Sequence, residues 1–476
     1  MILLSCFILC SPVKSQATLT LSLDEAILLA VRENPNVQTA RLNQVLQKFA
    51  VDVQKWQFHP HFALGALATT TRTVTAGNLQ QYNKGWTVTP TGSLLTPIGT
   101  QFTLTPTLNG AGSGGYNKSL SLQVTQPLMR GFGKPIVEAA LYNAMDSEKI
   151  SRLRIEETVR TTITNTINAY LDVIAAEHTL IVDQNALQRS EKSVQQTKLF
   201  IKAGKKAGVE LVTVQADVAN AKTQIENDRN NLQQTRYALL TAIGIDPNTS
   251  VIIKDLDITA LTQRYHVPTL ETAKHMILEN DIQYQIDQIT YEGTTKRNVA
   301  VAEDNTRWQL NFTANGMVGE NKAVNPNNGI NGVLNGTNQT ESAMLSLTIP
   351  IDDQQAKQAL SSAKIALRQA DLALKQEKWS KETNAINSWN AIISTERGLS
   401  LSRNSEELQN KTYQMSYQKY QYGLIDSIEL QSVQQQLITR QQALVNAQIA
   451  YLKSLVALDL YLGKTLETWD IGVRYA

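Results

Sequence analysis

Two stretches of this chain, 136–202 and 354–420, run for more than sixty residues without a proline. Within them and just beyond, apolar residues recur in a heptad rhythm. Ala356, Leu360, Ala363, Leu367, Ala370 and Leu374 step by four and three in turn. Leu211, Val214, Val218 and Ile225 keep the same step, with Ala221 filling the seam; so do Leu430, Val433, Leu437, Leu444, Ala447 and Tyr451. A 3.5-residue period commits a helix to side-by-side coiled-coil packing. As helices, the proline-free runs would each be about 100 Å long, too long for an ordinary globular core. The many alanines let helices approach closely, and two narrow stripes on one helix suit a helix with two neighbours, as in the wall of a tube. Shorter helical runs, 209–243 and 428–461, follow across turns holding Gly204 and Gly423. Each long and short pair therefore reads as a helical hairpin.

Between the helical runs the period changes to two. In 102–108, Phe102, Leu104 and Leu108 alternate with Thr103, Thr105 and Thr107. Leu120, Leu122 and Val124 alternate with serine, glutamine and threonine in 119–125; 309–315 and 345–349 repeat the pattern around Leu310, Phe312, Leu345 and Leu347. One apolar and one small-polar face fits a half-buried soluble sheet, and equally a barrel strand with lipid outside and water inside. Residues 109–118 and 319–341, rich in Gly and Asn, read as exposed hairpin loops.

The chain is also duplicated. Gly204 and Gly423, Glu210 and Glu429, Leu211 and Leu430, Val214 and Val433, Ile225 and Leu444, and Gly244 and Gly463 all pair at one offset, 219 residues. Pro127 and Pro350 each close a strand segment ahead of a long helix, and Ser22 and Thr269 each cap an upstream helix followed by Glu33-Asn34 or Glu279-Asn280. This sets a first repeat at 18–263 and a second at 264–476, each reading helix, strand pair, long helix, turn, shorter helix. Leu23 to Pro127 is 24 residues longer than Leu270 to Pro350, and the surplus falls near 77–100 as an excursion of unassigned place. Four strands per chain cannot close a barrel, and lipid forbids open edges, so strands in a membrane require several chains; three would give twelve strands.

Residues 1–17 read as a signal peptide, an apolar run followed by Ser15-Gln16-Ala17, without the usual basic start. A lipoprotein reading at Cys6 has too little apolar sequence before it. Both cysteines, Cys6 and Cys10, lie in this segment, so the mature chain would have neither disulfide nor cysteine-zinc chemistry. No later segment reads as long and apolar enough to cross a bilayer as a helix. Lys and Arg number 44 against 42 Asp and Glu, a balance that excludes a polybasic nucleic-acid binder.

The segment Gln126-Pro127-Leu128-Met129-Arg130-Gly131-Phe132-Gly133, the turn Tyr420-x-x-Gly423 and the run Ser427-Ile428-Glu429-Leu430, set in this twofold frame, resemble the TolC family of outer-membrane channel-tunnel proteins. The resemblance covers essentially the whole chain after the leader. It implies an α+β membrane protein: a homotrimer with a shared 12-stranded β-barrel, about four strands per chain, in the outer membrane of a Gram-negative cell. A long α-helical coiled-coil barrel would continue it through the periplasm, where most of the chain lies. It implies a passive export duct of a tripartite efflux pump or type I secretion system, with a periplasmic adaptor (membrane fusion) protein and an inner-membrane transporter as partners, and no cofactor. It places a gate at the helical tips, with Glu210 and Glu429 as ringed acids, Tyr420 as the gating tyrosine and Asp426 beside them. Ile425 stands where the family pattern has an arginine and Ser432 where it has a second acid, while Lys202, Lys205 and Lys206 crowd the first turn, which points to a different lock. Both glutamates also suit a helix's first turn on dipole grounds alone.

Competing chemistry is weak. His59-Pro-His61 has no nearby acid in sequence, and Ser361-x-x-Lys364 falls mid-heptad without partner motifs. Trp86, Phe102, Phe132, Trp308 and Phe312 cluster near the strands, as an interfacial girdle or as sheet packing. The alternative from another class is a periplasmic coiled-coil scaffold without a pore, which explains the heptads but not the paired strand segments.

Overall fold

The computed structural model describes residues 19–75, 79–111, 116–320 and 338–475. The leader and parts of the two expected hairpin loops, 112–115 and 321–337, lie outside the described residues. The chain divides into two compact units that cut across the repeats: the chain up to Arg41 with Arg154–Ile282 and Lys378–Tyr475, and Leu42–Leu153 with Gln283–Glu377.

The first unit is helical. A short strand β1 (Leu19–Leu21) leads into α1 (Leu23–Glu33) and the start of α2 (Pro35–Trp56). Ser22 and Glu25 form a capping box on α1: the Ser22 hydroxyl accepts from the Glu25 N–H, and the Glu25 carboxylate accepts from the Ser22 N–H at 2.8 Å. The turn Lys134–Val137 is α3, followed by the 64-residue α4 (Ala139–Lys202) and by α5 (Val209–Ile243). Strand β6 (Val251–Ile253) pairs in parallel with β1. The fully buried Tyr170 of α4 donates its hydroxyl to the Lys254 carbonyl beside this pair, satisfying a polar group that would otherwise be costly in the core. Helix α6 (Ile258–Arg264) follows, then α7 (Leu270–Asn280), with Thr269 accepting from the Thr272 N–H as the cap of α7.

Beyond them lie α8 (Ile282–Thr290), a π-turn Tyr291–Thr295, α9 (Lys296–Asn305), β7 (Gln309–Glu320) and β8 (Asn338–Thr348). The 68-residue α10 (Gln354–Gln421), α11 (Ser427–Tyr461) and α12 (Thr465–Thr468) complete the chain. Residues Ile155, Ile163, Ile167, Ile243 and Leu452 join one buried cluster of the helical unit, each worth about 1.5–3 kcal/mol on burial. The duplication survives as equivalent contacts. Asn34 donates to the Ala242 carbonyl at 2.7 Å and Asn280 to the Leu462 carbonyl at 3.0 Å, each against the glycine that ends its shorter helix, Gly244 or Gly463.

Helix α11 corrects one expectation: by length and composition it could cross a membrane. Its apolar side is used elsewhere, because Leu437, Val445, Ile449 and Leu455 are buried against other helices of the unit. The buried seam also passes through Val445 and Ile449, while the expected Leu444 and Tyr451 are half-buried on the flank.

The second unit carries one antiparallel sheet in the order β2-β3-β4-β5-β7-β8, with β2 (His61–Thr75), β3 (Leu79–Leu95), β4 (Gln101–Ala111) and β5 (Tyr116–Pro127) from the first repeat. This corrects the count of about four strands per chain. Six strands stand in the sheet, so a trimer using all of them would not be 12-stranded. The surplus near 77–100 is the reason: it forms β3, whose alternation is broken by Pro90 and was not legible as a strand. Pro90 of β3 stands across from Pro106 of β4, and the ladder between these strands lapses from Thr89 to Thr91 because neither proline has an N–H to give. The loops are shorter than read: 109–111, 116–118, 319–320 and 338–341 belong to strands.

The segment after β5 explains its odd composition. The Leu128 N–H donates to the Leu310 carbonyl at 2.7 Å, extending the β5–β7 ladder. The Gly131 N–H then donates to the buried Asp304 carboxylate at 2.7 Å, and the Gly133 N–H to the Ile98 carbonyl at 3.1 Å. Gly99 and Gly131 have φ of +96° and +82°, and a Cβ on Gly99 would lie 2.7 Å from the Gly131 carbonyl oxygen. A side chain at Gly131 meets no atom within 4 Å. Gly131→Ala should therefore cost only the left-handed backbone term, about 1–2 kcal/mol. Gly99→Ala adds a backbone collision and should lower the heat-unfolding midpoint of the detergent-purified protein further; equal losses would contradict this packing.

Candidate gate at the helical hairpin tips

Both hairpins turn by the same device. Gly204 and Gly423 adopt φ of +69° and +75°, and the following N–H reaches five residues back, Lys205 to the Phe200 carbonyl at 2.8 Å and Leu424 to the Lys419 carbonyl at 2.9 Å. This Schellman pattern satisfies the last carbonyls of each long helix and needs a residue without Cβ strain at its left-handed position. The next helices start differently. Asp426 caps α11 by accepting from the Glu429 N–H at 2.7 Å, whereas Gly208 gives α5 no side-chain cap.

The turns are joined by side chains. Glu210 accepts from the Lys206 ammonium at 2.7 Å and from the Ser427 hydroxyl at 3.0 Å, so one carboxylate links the first tip to the second. Lys206 is itself largely covered and lies 4.8 Å from the centre of the Tyr420 ring. Tyr420 is fully buried; its hydroxyl stands 2.6 Å from Thr197 Oγ1, and its ring meets Phe200 edge-on at 5.7 Å. A charge-assisted bond, a cation over an aromatic face and a buried hydroxyl pair thus converge within one chain. Of the expected residues, Glu210 and Tyr420 enter this cluster. Asp426 serves α11, and Glu429 stands exposed in the first turn. Glu210 is charge-paired, whereas Asp426 is held only by the α11 backbone and Glu429 stands free of both contacts, facing water. Of the three lysines that crowd the first turn, Lys206 binds Glu210, while Lys202 and Lys205 are exposed. Pro127 ends β5 and Pro350 follows β8, each ahead of its long helix as expected. His59 and His61 flank the Trp56 ring, with centroids at 5.4 and 5.9 Å.

Further along the same helices is a pair the sequence reading missed. Asp183 of α4 and Asp228 of α5 are buried together, and Gln442 of α11 donates to both Asp183 oxygens at 3.2 Å. Gln224 donates to one Asp228 oxygen at 3.0 Å, and among the described residues the other oxygen meets no donor. Burial, with the neighbouring Asp228 second, pushes the Asp183 carboxyl up to about 7; Gln442 and Arg189 oppose the shift. Burial also raises Asp217, which accepts from Gln431. A polar groove of about 380 Å³, bordered by Asp183, Ser193, Asp217, Gln431 and Gln434, opens beside them. The signal was available: Asp183 continues the 186, 190, 193, 197 step of α4, and Asp228 continues the 214, 218, 221, 225 step of α5, so each acid sits on a seam.

The chain thus combines paired helical hairpins joined at their turns with a two-faced antiparallel sheet, a fold found in outer-membrane channels. Residues 26–245 and 295–464 match the outer membrane efflux protein family, and the chain belongs to it. It is an outer-membrane protein with a large periplasmic helical part. No curated protein matches the sequence. Among solved structures, the CusC channel aligns at a TM-score of 0.72 with 12% identity, over 94% of this chain and 93% of that one. The CmeC outer-membrane channel of Campylobacter jejuni gives 0.69 and 14%, over 93% and 86%. VceC, an outer-membrane protein of Vibrio cholerae, gives 0.67 and 14%, over 95% and 97%. At these identities the likeness speaks for the fold.

The buried acid pair sets a pH dependence. The native fold holds a proton on Asp183 up to about pH 7, whereas an unfolded aspartate releases it near 4. The fold binds more protons across that window, so this group's contribution to stability falls as pH rises from about 4 to about 7. Asp183→Asn removes the ionisation and should raise the unfolding temperature more at pH 8 than at pH 5. A uniform change at both values would show that Asp183 does not titrate in this window.

Proposed function

We propose that this chain is one subunit of a homotrimeric outer-membrane export duct, working with a periplasmic adaptor and an inner-membrane transporter and closed at its periplasmic end by the hairpin tips. The observation that carries the reading is the sheet. It has an apolar face, a hydroxyl- and amide-rich face, and two unpaired edge strands, β2 and β8. Lipid tolerates the first and forbids the last, so the edges require neighbouring copies. Phe62 is 85% exposed and Leu345 64% exposed in the single chain, which suits contact with acyl chains. The duct lowers no chemical barrier: it supplies a water-filled path and a gate.

In this reading Lys206 is the latch. It holds Glu210 and covers Tyr420, and Glu210 holds Ser427, so each long–short hairpin is pinned to the other in the resting state. Opening by partner contact separates the tips and gives up these bonds. The exposed Glu429 side chains, one per subunit, add negative charge at the entrance and favour cations there. Efflux of small solutes and type I protein secretion both use such a duct, and the gate chemistry is common to the two.

The first test is native mass after extraction from outer membranes in mild detergent. A detergent-dependent particle of three chains is expected; a monomer soluble without detergent would overturn the duct and favour a coiled-coil scaffold. In planar bilayers, Lys206→Ala and Thr197→Val should each raise the open fraction of the channel, and Glu429→Gln should lower cation preference with little effect on opening. The Lys206 substitution should cost about 1 kcal/mol of stability, the scale of a partly covered ion pair with its cation–π contact. Unchanged gating in both tip variants would remove Lys206 and Tyr420 from the latch.

A further inference from the structure

Strand β2 follows α2 as β7 follows α9, and β5 leads to the long α4 as β8 leads to the long α10, so by connectivity the added hairpin is β3–β4; it lies in the middle of the sheet, between β2 and β5, rather than at an edge. Register follows the faces across all six strands. Phe62, Gly92, Leu104, Leu122 and Gly316 form one row of partners, and Leu94, Phe102, Val124 and Ala314 another. Between them, Ser93, Thr103, Gln123, Asn315 and Ser342 form a row on the opposite face. The inserted strands obey the same division, with Val88, Leu104 and Leu108 on the apolar face and Thr87, Thr89 and Thr105 on the other. A hairpin lying off the wall in water has no need of a complete apolar row.

Charge divides in the same way. Among the described strand residues, the polar face holds no Asp, Glu, Lys or Arg. Arg72, Lys84, Lys118 and Glu341 share the apolar face and stand within about five residues of the strand ends at Thr75, Leu79, Tyr116 and Asn338, all at one end of the sheet. Long charged side chains there reach a headgroup layer while their strands remain in hydrocarbon. Strands β2 and β8 run antiparallel to each other, because six is even, so β2 of one copy can pair with β8 of the next without breaking the alternation.

Resting on the duct reading above, we infer that each chain gives six staves to the wall, so that three chains close an 18-stranded barrel with an uncharged, hydroxyl- and amide-lined lumen. Strands spaced about 4.8 Å apart and tilted about 40° give a backbone diameter of about 36 Å for eighteen strands, against about 24 Å for twelve. Such an outer mouth takes bulky hydrophilic cargo without sorting it by charge, and selection falls to the helical end.

The test uses the full chain with Cys6→Ser and Cys10→Ser, which leaves no other cysteine. Single cysteines replace Val88, Leu104, Thr89 and Thr105, with Leu122 and Ser121 of β5 as controls, and carry spin labels in lipid vesicles. Labels at 88, 104 and 122 should collide with oxygen in the bilayer. Those at 89, 105 and 121 should collide with a water-soluble nickel chelate. If 88 and 104 are open to water while 122 remains in lipid, the hairpin is off the wall and the inference falls alone. If 122 is open to water as well, the membrane sheet itself fails and takes the duct with it. Electron-microscopic averages of the detergent particle give a second readout: a barrel near 24 Å rather than 36 Å also overturns the eighteen-strand wall.

Discussion

The constraint that governs this chain is that a sheet placed in lipid cannot leave its edges unpaired. Every edge N–H and C=O in hydrocarbon costs several kcal/mol, and no side chain of β2 or β8 can satisfy a row of them. A sheet of six strands is too few to curl closed on itself. Oligomerisation is therefore a condition of the sheet's existence in a membrane rather than an addition to a finished fold. The two-faced strands, the even strand number and the antiparallel order are what allow the missing partner to be another copy of the same chain.

The same condition shapes the junction between sheet and helices. A strand that ends in a wall must hand its chain to a helix without releasing backbone groups. The Gln126–Gly133 segment does so by prolonging the ladder to Leu310 and then giving the Gly131 N–H to Asp304, an acid almost wholly buried. Its glycines, Gly131 and Gly133, take φ of +82° and +98°, and the Gly131 carbonyl in turn leaves no room for a Cβ at Gly99. A run of residues that reads as a family signature is thus a list of steric and hydrogen-bonding requirements at one corner.

Much of this was legible in the primary structure, and the failures have physical causes. The long helices, the equivalent turns at Gly204 and Gly423 and four of the six strands follow from period and spacing. Each depends on patterns that packing enforces locally. Strands β2 and β3 were lost because β2 carries Ala and Leu on both faces and β3 is interrupted by Pro90. Their identity comes from register against neighbours, which no single segment contains. At the tips, spacing located Glu210 and Tyr420, and the lysines were noticed as a crowd. Which lysine binds, and that Ser427 and Thr197 complete the contacts, depends on how two hairpins far apart in sequence face each other.

The gate and the acid pair illustrate a common economy. A helical wall that must open cannot be held by its apolar seams alone, because those seams resist any rearrangement over their whole length. Placing polar and ionisable groups on the seam weakens it locally and makes its strength depend on specific bonds. Lys206 with Glu210 does this at the turn, where breaking one ion pair and one hydroxyl contact frees two tips. Asp183 with Asp228 does it further along, where two neighbouring carboxyls are buried on the seam and burial holds the Asp183 carboxyl well above the usual range. These groups come from α4, α5 and the turn between them, whereas α10 and α11 contribute Tyr420 and the donors Ser427 and Gln442. At these contacts the two hairpins divide the labour, one supplying the ionisable groups and the other their hydroxyl, amide and aromatic partners.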